Sequence, residues 1–343
     1  MIAHFKAAKQ KSDIYVERDI RYKVKEFVDL NRKVLVLSDD GVPQKYIKTI
    51  AEQCSQPYIK IVKQGENSKS ISAVQEICSF LQNNNFDHSD LVFALGGGVI
   101  GDLGGFVASI YKQGIQIVSL PTTTLSQIDS SIGGKTAVNY GGAKNIIGSF
   151  YQPSKVFIDL NTLSTLTKRE YYSGLVEALK AGLIRDEKLF QIFEHHLADF
   201  GGTAPSSDLE EIILRSLIVK RDIVEKDEKE TGLRKILNFG HTLGHAVESI
   251  HIPNLYHGEC VGLGMLMIME NRDLRDKVKK ILEKMGMPTH IDYAIDEVLE
   301  LVLKDKKCGK NTITIVQVDE PGKGYLKEVD MKWLRKHMEE NII

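Results

Sequence analysis

His241 and His245 stand four residues apart in the string Asn238-Phe239-Gly240-His241-Thr242-Leu243-Gly244-His245, and His257 follows a break at Pro253 and Asn254. Residues four apart share one face of a helix. Neutral imidazole serves both as a metal ligand and as an acid–base group. The stretch Asn238–Gly258 therefore offers a metal site, a proton-handling site, or both. The H-E-x-x-H metalloprotease pattern fails, because Thr242 stands where its glutamate should be. Two histidines and one carboxylate with an open position would make a catalytic zinc site. Glu177 is the carboxylate whose surroundings suit that role, in Ser173-Gly174-Leu175-Val176-Glu177-Ala178-Leu179-Lys180. The bland reading of Glu177 and Lys180, three residues apart, is an exposed ion pair.

Two further stretches carry chemistry. Gly96–Gly101 matches G-x-G-x-x-G, after an apolar run and before a helical one. Glycine lets the backbone approach a phosphate, and a helix N-terminus adds donors and partial positive charge. The usual ribose acid about 20 residues later is replaced by Val118-Ser119-Leu120-Pro121, and the acid at a strand end is Asp39 instead. Nucleotide binding and a merely tight turn both remain open from that motif alone. Gly133-Gly134-Lys135-Thr136 looks like the end of a P-loop, but Asp129 occupies the place of its first glycine, which argues against a Walker-type ATPase. From Pro121-Thr122-Thr123 through Asp129, Lys135 and Asn139 to Lys144-Asn145, the chain is dense in Gly, Thr, Asp, Lys and Asn. It reads as one long loop, either solvated or functional.

These residues need elements to position them. Lys33–Ser38, Tyr58–Val62, Asp90–Leu95 and Ile115–Leu120 are apolar runs of strand length, and Asp13–Glu17 alternates as an edge strand would. Helical patterns lie between them: one starts near Pro43, one spans Ile71–Leu81, and one follows Gly98 to about Tyr111. Alternation of this kind predicts a largely parallel sheet with helices on both faces, and ligands there bind beyond the carboxyl ends of strands. After Leu160 the patterns are helical, at Lys168–Gly182, Asp208–Lys229, Phe239–His251, Gly258–Leu274, Lys277–Met285, Asp292–Leu303 and Met331–Asn341. Only Thr312–Val318 and Tyr325–Val329 read as strand. The expected class is α/β, with a parallel-sheet domain over residues 1–157 and a mainly α-helical domain over residues 158–343.

Composition narrows the function. The 343 residues suit two domains, since single cores stop growing beyond roughly 250–300 residues. A net charge of -1 with interspersed signs gives no footprint for nucleic acid or an anionic membrane. The first thirteen residues lack the apolar core of a signal peptide. The longest apolar run, Cys260–Met269, has ten residues, against about 20 for a membrane span. Cysteines 54, 78, 260 and 308 form no C-x-x-C pair and read as reduced packing residues of a cytoplasmic protein.

Taken together, the strings G-G-G-V-I-G-D-L, P-T-T, D-S-S-I-G-G-K-T, K-N-I-I-G, S-G-L-V-E-A-L-K, L-N-F-G-H-T-L-G-H-A-V-E and H-G-E resemble the 3-dehydroquinate synthase family of the sugar phosphate cyclases, from about Asp39 to Lys307. The resemblance implies a Rossmann-like NAD domain, a helical domain, one divalent metal (zinc or cobalt) and a homodimer. It matches Glu177, His241 and His257 to metal ligands. It matches Asp39, Glu66, Lys69, Gly97, Gly98, Val99, Asp102, Thr122, Thr123, Asp129, Lys135, Lys144, Thr162, Thr165 and Leu166 to the NAD site. Catalytic positions fall on Asp129, Lys135, Asn145, Lys180 and His245. Substrate positions fall on Lys220, Arg234, Asn238 and the pair Lys306-Lys307.

The implied reaction converts 3-deoxy-D-arabino-heptulosonate 7-phosphate into 3-dehydroquinate and phosphate. Transient oxidation by NAD at C5 acidifies C6, phosphate leaves by β-elimination, the hydride returns, and ring opening with aldol closure forms the carbocycle. On this reading the metal polarises substrate hydroxyls, Lys180 and His245 stabilise and relay, and the lysines with Arg234 neutralise phosphate and carboxylate. Gln113 departs from the family, which commonly carries arginine there for the substrate phosphate. Asp40-Gly41 also departs, where the family often has Asn after the Asp. A related cyclase with another sugar phosphate is the alternative. A catalytically inert regulator conflicts with the complete Glu/His/His set, and a metal-dependent alcohol dehydrogenase would lack the D-S-S-I-G-G-K-T and K-N segments.

Overall fold

The computed structural model describes residues 2–7, 10–195, 207–251, 254–305 and 312–340. The chain divides into two compact units, the first running to Thr165 and the second beginning at Leu166. The first is a sheet unit. Its elements in chain order are β1 (Ile2–Ala7), β2 (Gln10–Val16), β3 (Lys33–Asp39), α1 (Gln44–Ala51), β4 (Gln56–Val62), α2 (Ile71–Asn83), β5 (Leu91–Gly96), α3 (Gly98–Ile110), β6 (Gln116–Pro121), β7 (Lys135–Tyr140), β8 (Ala143–Phe150) and β9 (Lys155–Ile158). Seven strands form one sheet in the order β1-β2-β9-β6-β5-β3-β4. All its pairings are parallel except β1 with β2.

Alternation builds the two faces. In β3, Val34 and Val36 join Phe93, Val118 and Phe157 in one core with Tyr46, Ile47 and Ile50 of α1. Leu35 and Leu37 join Val92, Ala94 and Ile117 in the other, under α2 and α3. Helices therefore cover both faces, which is why β3 and β5 are continuously apolar. Each such fully buried side chain contributes roughly 1.5–3 kcal/mol over an exposed one. Successive parallel strands end on the same side, so the loops after β3, β4, β5 and β6 gather at one rim of the sheet.

Two sequence expectations for this unit need correction. The alternating run near Asp13 is not at an edge. β2 lies between β1 and β9, and Ile14, Tyr15 and Val16 are all buried, so both of its faces are covered there. The stretch after Pro121 is not one loop. Ser126–Ser130 forms a wide π-type turn, and residues 135–150 form a β-hairpin. The connection between β7 and β8 is Gly141-Gly142, with φ of 60° and 80°. Two consecutive positive φ values are what a tight hairpin turn demands, so the glycine pair was a legible hairpin signal.

The second unit is mainly helical. It contains α4 (Lys168–Arg185), α5 (Glu187–His195), α6 (Ser207–Lys226), α7 (His241–His251), α8 (His257–Ile268), α9 (Arg272–Lys284), α10 (Ile295–Asp305), the antiparallel pair β10 (Thr312–Val318) and β11 (Gly324–Asp330), and α11 (Met331–Glu340). Helix α5 was not expected. Its cue is Asp186, whose Oδ1 accepts from the Leu189 amide, followed by Leu189, Phe190 and Phe193 at helical spacing. The single helix expected over Gly258–Leu274 is two. It stops at Ile268, and Asn271 caps α9 by accepting from the Leu274 amide. Among the described residues no helix is long and apolar enough to cross a membrane.

Helix α4 is buried without a break from Ser173 to Ile184, and α8 from Gly258 to Ile268. They can touch because the second residue of α8, Gly258, is glycine. A Cβ on Gly258 would sit 1.8 Å from the Ser173 carbonyl oxygen, and one on Gly264 would sit 2.0 Å from the Gly240 carbonyl oxygen. The glycines of the H-G-E and G-H-T-L-G segments thus let α4, α7 and α8 approach at backbone distance.

Candidate functional site

Glu177 faces inward from the middle of α4 and is 2% exposed. His241 opens α7 and His257 opens α8, and the Nε2 atoms of both point at one Glu177 oxygen, Oε1, from 3.6 and 3.5 Å. The ligand atoms of the three residues lie within 4.8 Å of one another. Neither Glu177 oxygen has a hydrogen bond of regular geometry, although both are buried, and what faces them is the Lys180 ammonium and the two imidazoles. A buried carboxylate left in that state is costly unless a cation meets it. Lys180, 3% exposed, pairs with Oε2 from one turn further along α4. The exposed ion pair expected of this spacing is therefore a buried one.

The two histidine rings are held by their other nitrogens. His241 Nδ1 is 3.1 Å from the Phe239 carbonyl oxygen, and His257 Nδ1 is 3.1 Å from Glu248 Oε2. An acceptor at Nδ1 keeps a proton on that nitrogen, so Nε2, the nitrogen facing Glu177, is the one that would meet a metal ion. Glu248 and the Phe239 carbonyl were not anticipated. The signal for Glu248 was its place three residues after His245 and seven after His241 on one helix face. His245 is exposed and does not share the Glu177 cluster. Its ring centre lies 5.1 Å from that of His241 and 5.9 Å from that of His257.

The electrostatics follow from this crowding. Burial alone would raise the Glu177 carboxyl, but Lys180 and the two histidines bring it well below the ordinary value. Burial and then the Lys180 cation push His241 down to about 3. Burial also works against charge on His257, yet hydrogen bonds with Glu177 and Glu248 hold it up at about 9. One carboxylate oxygen and two imidazole nitrogens, backed by Nδ1 acceptors, fit a divalent ion of the zinc type.

The His257 segment is further tied to α4. Arg169 donates through Nε and Nη2 to the two oxygens of Glu259, at 2.6 and 2.7 Å, and through Nη2 to the Asn254 carbonyl at 2.6 Å. Glu259 Oε2 also accepts from the Tyr256 amide at 2.8 Å. The glutamate of H-G-E is thus a clamp that fixes the start of α8, through a planar bidentate pair.

Two of the expected substrate cations of this unit are buried. Lys220 on α6 is 8% exposed, and Arg234 is 3% exposed with Nη1 donating to the Glu228 carbonyl at 2.5 Å. Asn238 is exposed and donates to Glu230 Oε1 at 2.6 Å. Lys306 and Lys307 lie outside the described residues. Leu166, half-buried, begins this unit.

In the sheet unit most of the expected nucleotide residues collect at the carboxyl rim. Asp39 ends β3, is raised by burial, and accepts from the Gly41 amide at 2.9 Å. Glu66 and Lys69 follow β4, and Lys69 is ion-paired to Asp102 of α3. Gly97, Gly98 and Val99 open α3 with no side chain capping it, so its first amides remain available as donors. A Cβ on Gly98 would lie 3.0 Å from Ser130 Oγ, a cradle that only glycine leaves open. Thr122 and Thr123 follow β6, and the Thr122 amide donates to the Gly96 carbonyl at 3.0 Å.

The β7–β8 hairpin is tied to this rim. Asn139 donates to Glu66 Oε1 at 2.8 Å, and its own Oδ1 accepts from the Asn145 amide at 2.9 Å. Lys135, Lys144 and Asn145 are exposed on the hairpin, and Asp129 is half-buried in the π-type turn. Thr165 is exposed at the end of the unit. Thr162 differs from the rest: it is fully buried, its hydroxyl committed to the Asp159 carbonyl and to Gln127. The expected phosphate position, Gln113, is exposed in a turn of three positive φ values, Lys112 at 47°, Gln113 at 66° and Gly114 at 124°.

Comparison with known proteins agrees with this arrangement. The family models described as 3-dehydroquinate synthase N-terminal and C-terminal match residues 59–173 and 174–308. The 3-dehydroquinate synthase of Clostridium tetani is 39% identical, covering 96% of this chain and 95% of its own. Among solved structures, 2-deoxy-scyllo-inosose synthase complexed with carbaglucose-6-phosphate, NAD+ and Co2+ superposes with a TM-score of 0.88 at 23% identity, over 100% of both chains. The 2-epi-5-epi-valiolone synthase of Streptomyces hygroscopicus subsp. jinggangensis, with NAD+ and Zn2+ bound, gives 0.88 at 23% over 99% of this chain and 98% of its own. On the strength of both family models and of that relative's near-complete coverage, the chain belongs to the 3-dehydroquinate synthase family.

Proposed function

We propose that this chain converts 3-deoxy-D-arabino-heptulosonate 7-phosphate into 3-dehydroquinate and phosphate, in the branch of metabolism that builds aromatic amino acids. The observation that carries the reading is the buried Glu177 carboxylate, short of hydrogen bonds and faced by two imidazole Nε2 atoms. Family membership supplies the substrate class. When bound, NAD supplies a hydride acceptor that is restored within each turnover, and a divalent zinc or cobalt ion supplies a Lewis acid for substrate hydroxyls.

Glu177, His241 and His257 hold the metal, with Lys180 placed to stabilise oxyanion charge beside it. His245, exposed and next to both ligand rings, moves protons between substrate and solvent. Lys220, Arg234, Asn238 and a lysine of the Lys306-Lys307 pair bind the carboxylate and phosphate. Asp129, Lys135 and Asn145 orient the reacting carbons. In the sheet unit, Asp39, Glu66, Lys69 and Asp102 bind the nucleoside end of NAD. The first turn of α3 at Gly97, Gly98 and Val99 binds its pyrophosphate, with Thr122, Thr123, Lys144, Thr162, Thr165 and Leu166 completing the site. On this reading residues 1–157 are the NAD-binding domain and residues 158–343 the metal- and substrate-binding domain. The enzyme works as a cytoplasmic homodimer.

The test is phosphate release from the heptulosonate phosphate with catalytic NAD and zinc. Release without net NADH supports the reading. Stoichiometric NADH points to a dehydrogenase, and release only from another sugar phosphate points to a sister cyclase. The 39% identity to a 3-dehydroquinate synthase, against 23% to cyclases of other substrates, favours the first outcome.

A further inference from the structure

Glu248 lies on α7, and its side chain is 14% exposed. Its Oε2 meets Nδ1 of His257 at 3.1 Å, while Nε2 of the same ring is 3.5 Å from Glu177. The two nitrogens of one imidazole are therefore held from opposite sides by two carboxylates on two different helices. We propose that Glu248 is a positioning residue of the metal centre, whose carboxylate fixes the tautomer and orientation of His257 so that Nε2 is the ligand atom.

This inference rests on the metal reading above. His241 offers an internal comparison. Its Nδ1 faces a main-chain carbonyl two residues earlier in the same segment, which cannot rotate away. His257 Nδ1 is met instead by a side chain from another helix, Glu248 of α7. A carboxylate at Nδ1 also makes the ring a stronger donor than a neutral carbonyl does. A direct ligand role for Glu248 is the competing possibility, since Glu248, His245 and His257 also bring ligand atoms within 4.8 Å. That set uses an exposed histidine, whereas the Glu177 set surrounds a carboxylate that is 2% exposed.

The test uses the full chain as wild type, Glu248→Gln and Glu248→Ala. Zinc affinity is read by chelator competition, Co2+ binding by its visible absorption, and apo stability by thermal melting. Glu248→Ala should weaken zinc by about 10–100-fold and shift the Co2+ bands, with zinc stoichiometry and the apo melting point unchanged. Glu248→Gln retains a carbonyl acceptor, as His241 has, and should lose less. Wild-type affinity in Glu248→Ala would overturn the inference. So would a loss of affinity matched by an equal loss of apo stability, or a lost equivalent of zinc, which would make Glu248 a ligand. A wild type that binds no stoichiometric zinc would overturn the metal reading and this inference together.

Discussion

Lys180 and Glu177 form an ion pair one turn apart on α4 with 3% and 2% of their surfaces exposed. A buried pair is weak evidence of stability as a whole, but removing one partner strands the other, at roughly 3–5 kcal/mol. Lys180→Met should therefore destabilise the metal-free protein strongly. Zinc at Glu177 restores the missing positive charge, so the rise in melting temperature on adding zinc should be larger in Lys180→Met than in wild type. Melting each protein with and without zinc decides the point. Equal rises would mean that Lys180 and the metal do not share Glu177. Turnover should fall in the variant even when zinc is loaded, because the cation beside the reacting oxygen is gone.

The histidines divide their work differently. His241 and His257 face Glu177, while His245 is exposed and outside that cluster. His245→Ala should keep one equivalent of zinc and lower kcat by about 10²–10⁴-fold, the usual worth of a positioned acid–base group. Metal analysis of the dialysed variant beside its kcat checks both halves. Loss of the zinc would place His245 among the ligands and refute the division.

How far these residues were legible in the sequence depends on what held them. The parallel sheet was readable because β3 and β5 are apolar on both faces, and its rim loops were readable because strand ends carry Asp39, Glu66 and Gly97. Glu177 and the histidines were candidates from local context, but that His257 rather than His245 joins Glu177 and His241 was nameable only through family motifs, since spacing cannot show convergence across the 64 positions from Glu177 to His241. Glu248 escaped because a glutamate on a helix face usually reads as solvated. Its role depends on α7 and α8 approaching at glycines, a tertiary fact. The β7–β8 hairpin escaped because its polar residues looked like loop chemistry, although Gly141-Gly142 marked the turn.

Gln113 bears on substrate affinity. It sits exposed after α3 in a left-handed turn that arginine tolerates as well as glutamine does. If the substrate phosphate docks there, Gln113→Arg adds a charge-assisted bidentate contact, and KM should fall by about 10-fold with kcat nearly unchanged. Steady-state kinetics on the heptulosonate phosphate measure it. An unchanged or higher KM would show that another cation already fills the role.

Arg234 is positioned by an acid seven residues earlier, and this gives the pH prediction. Asp227 accepts through Oδ1 from the Thr231 amide and hydroxyl at 2.9 and 3.1 Å, and through Oδ2 from the amides of Gly232 and Arg234 at 2.7 and 3.0 Å. Donation from the Arg234 and Thr231 amides leads the effects that hold this carboxyl far below its ordinary value of 3.8. A group depressed by folding stabilises the native state above its unfolded value, and that contribution is lost as pH falls through the window below it. Wild-type stability in urea should therefore decline as pH drops below about 4. Asp227→Asn keeps an acceptor but no charge, so it should be less stable than wild type at pH 7 and converge with it in acid. The same variant should raise KM at pH 7, because the turn that presents Arg234 loses two of its charge-assisted anchors. A wild type and variant that stay equally far apart from pH 7 to pH 3 would show that Asp227 acts by shape rather than by charge.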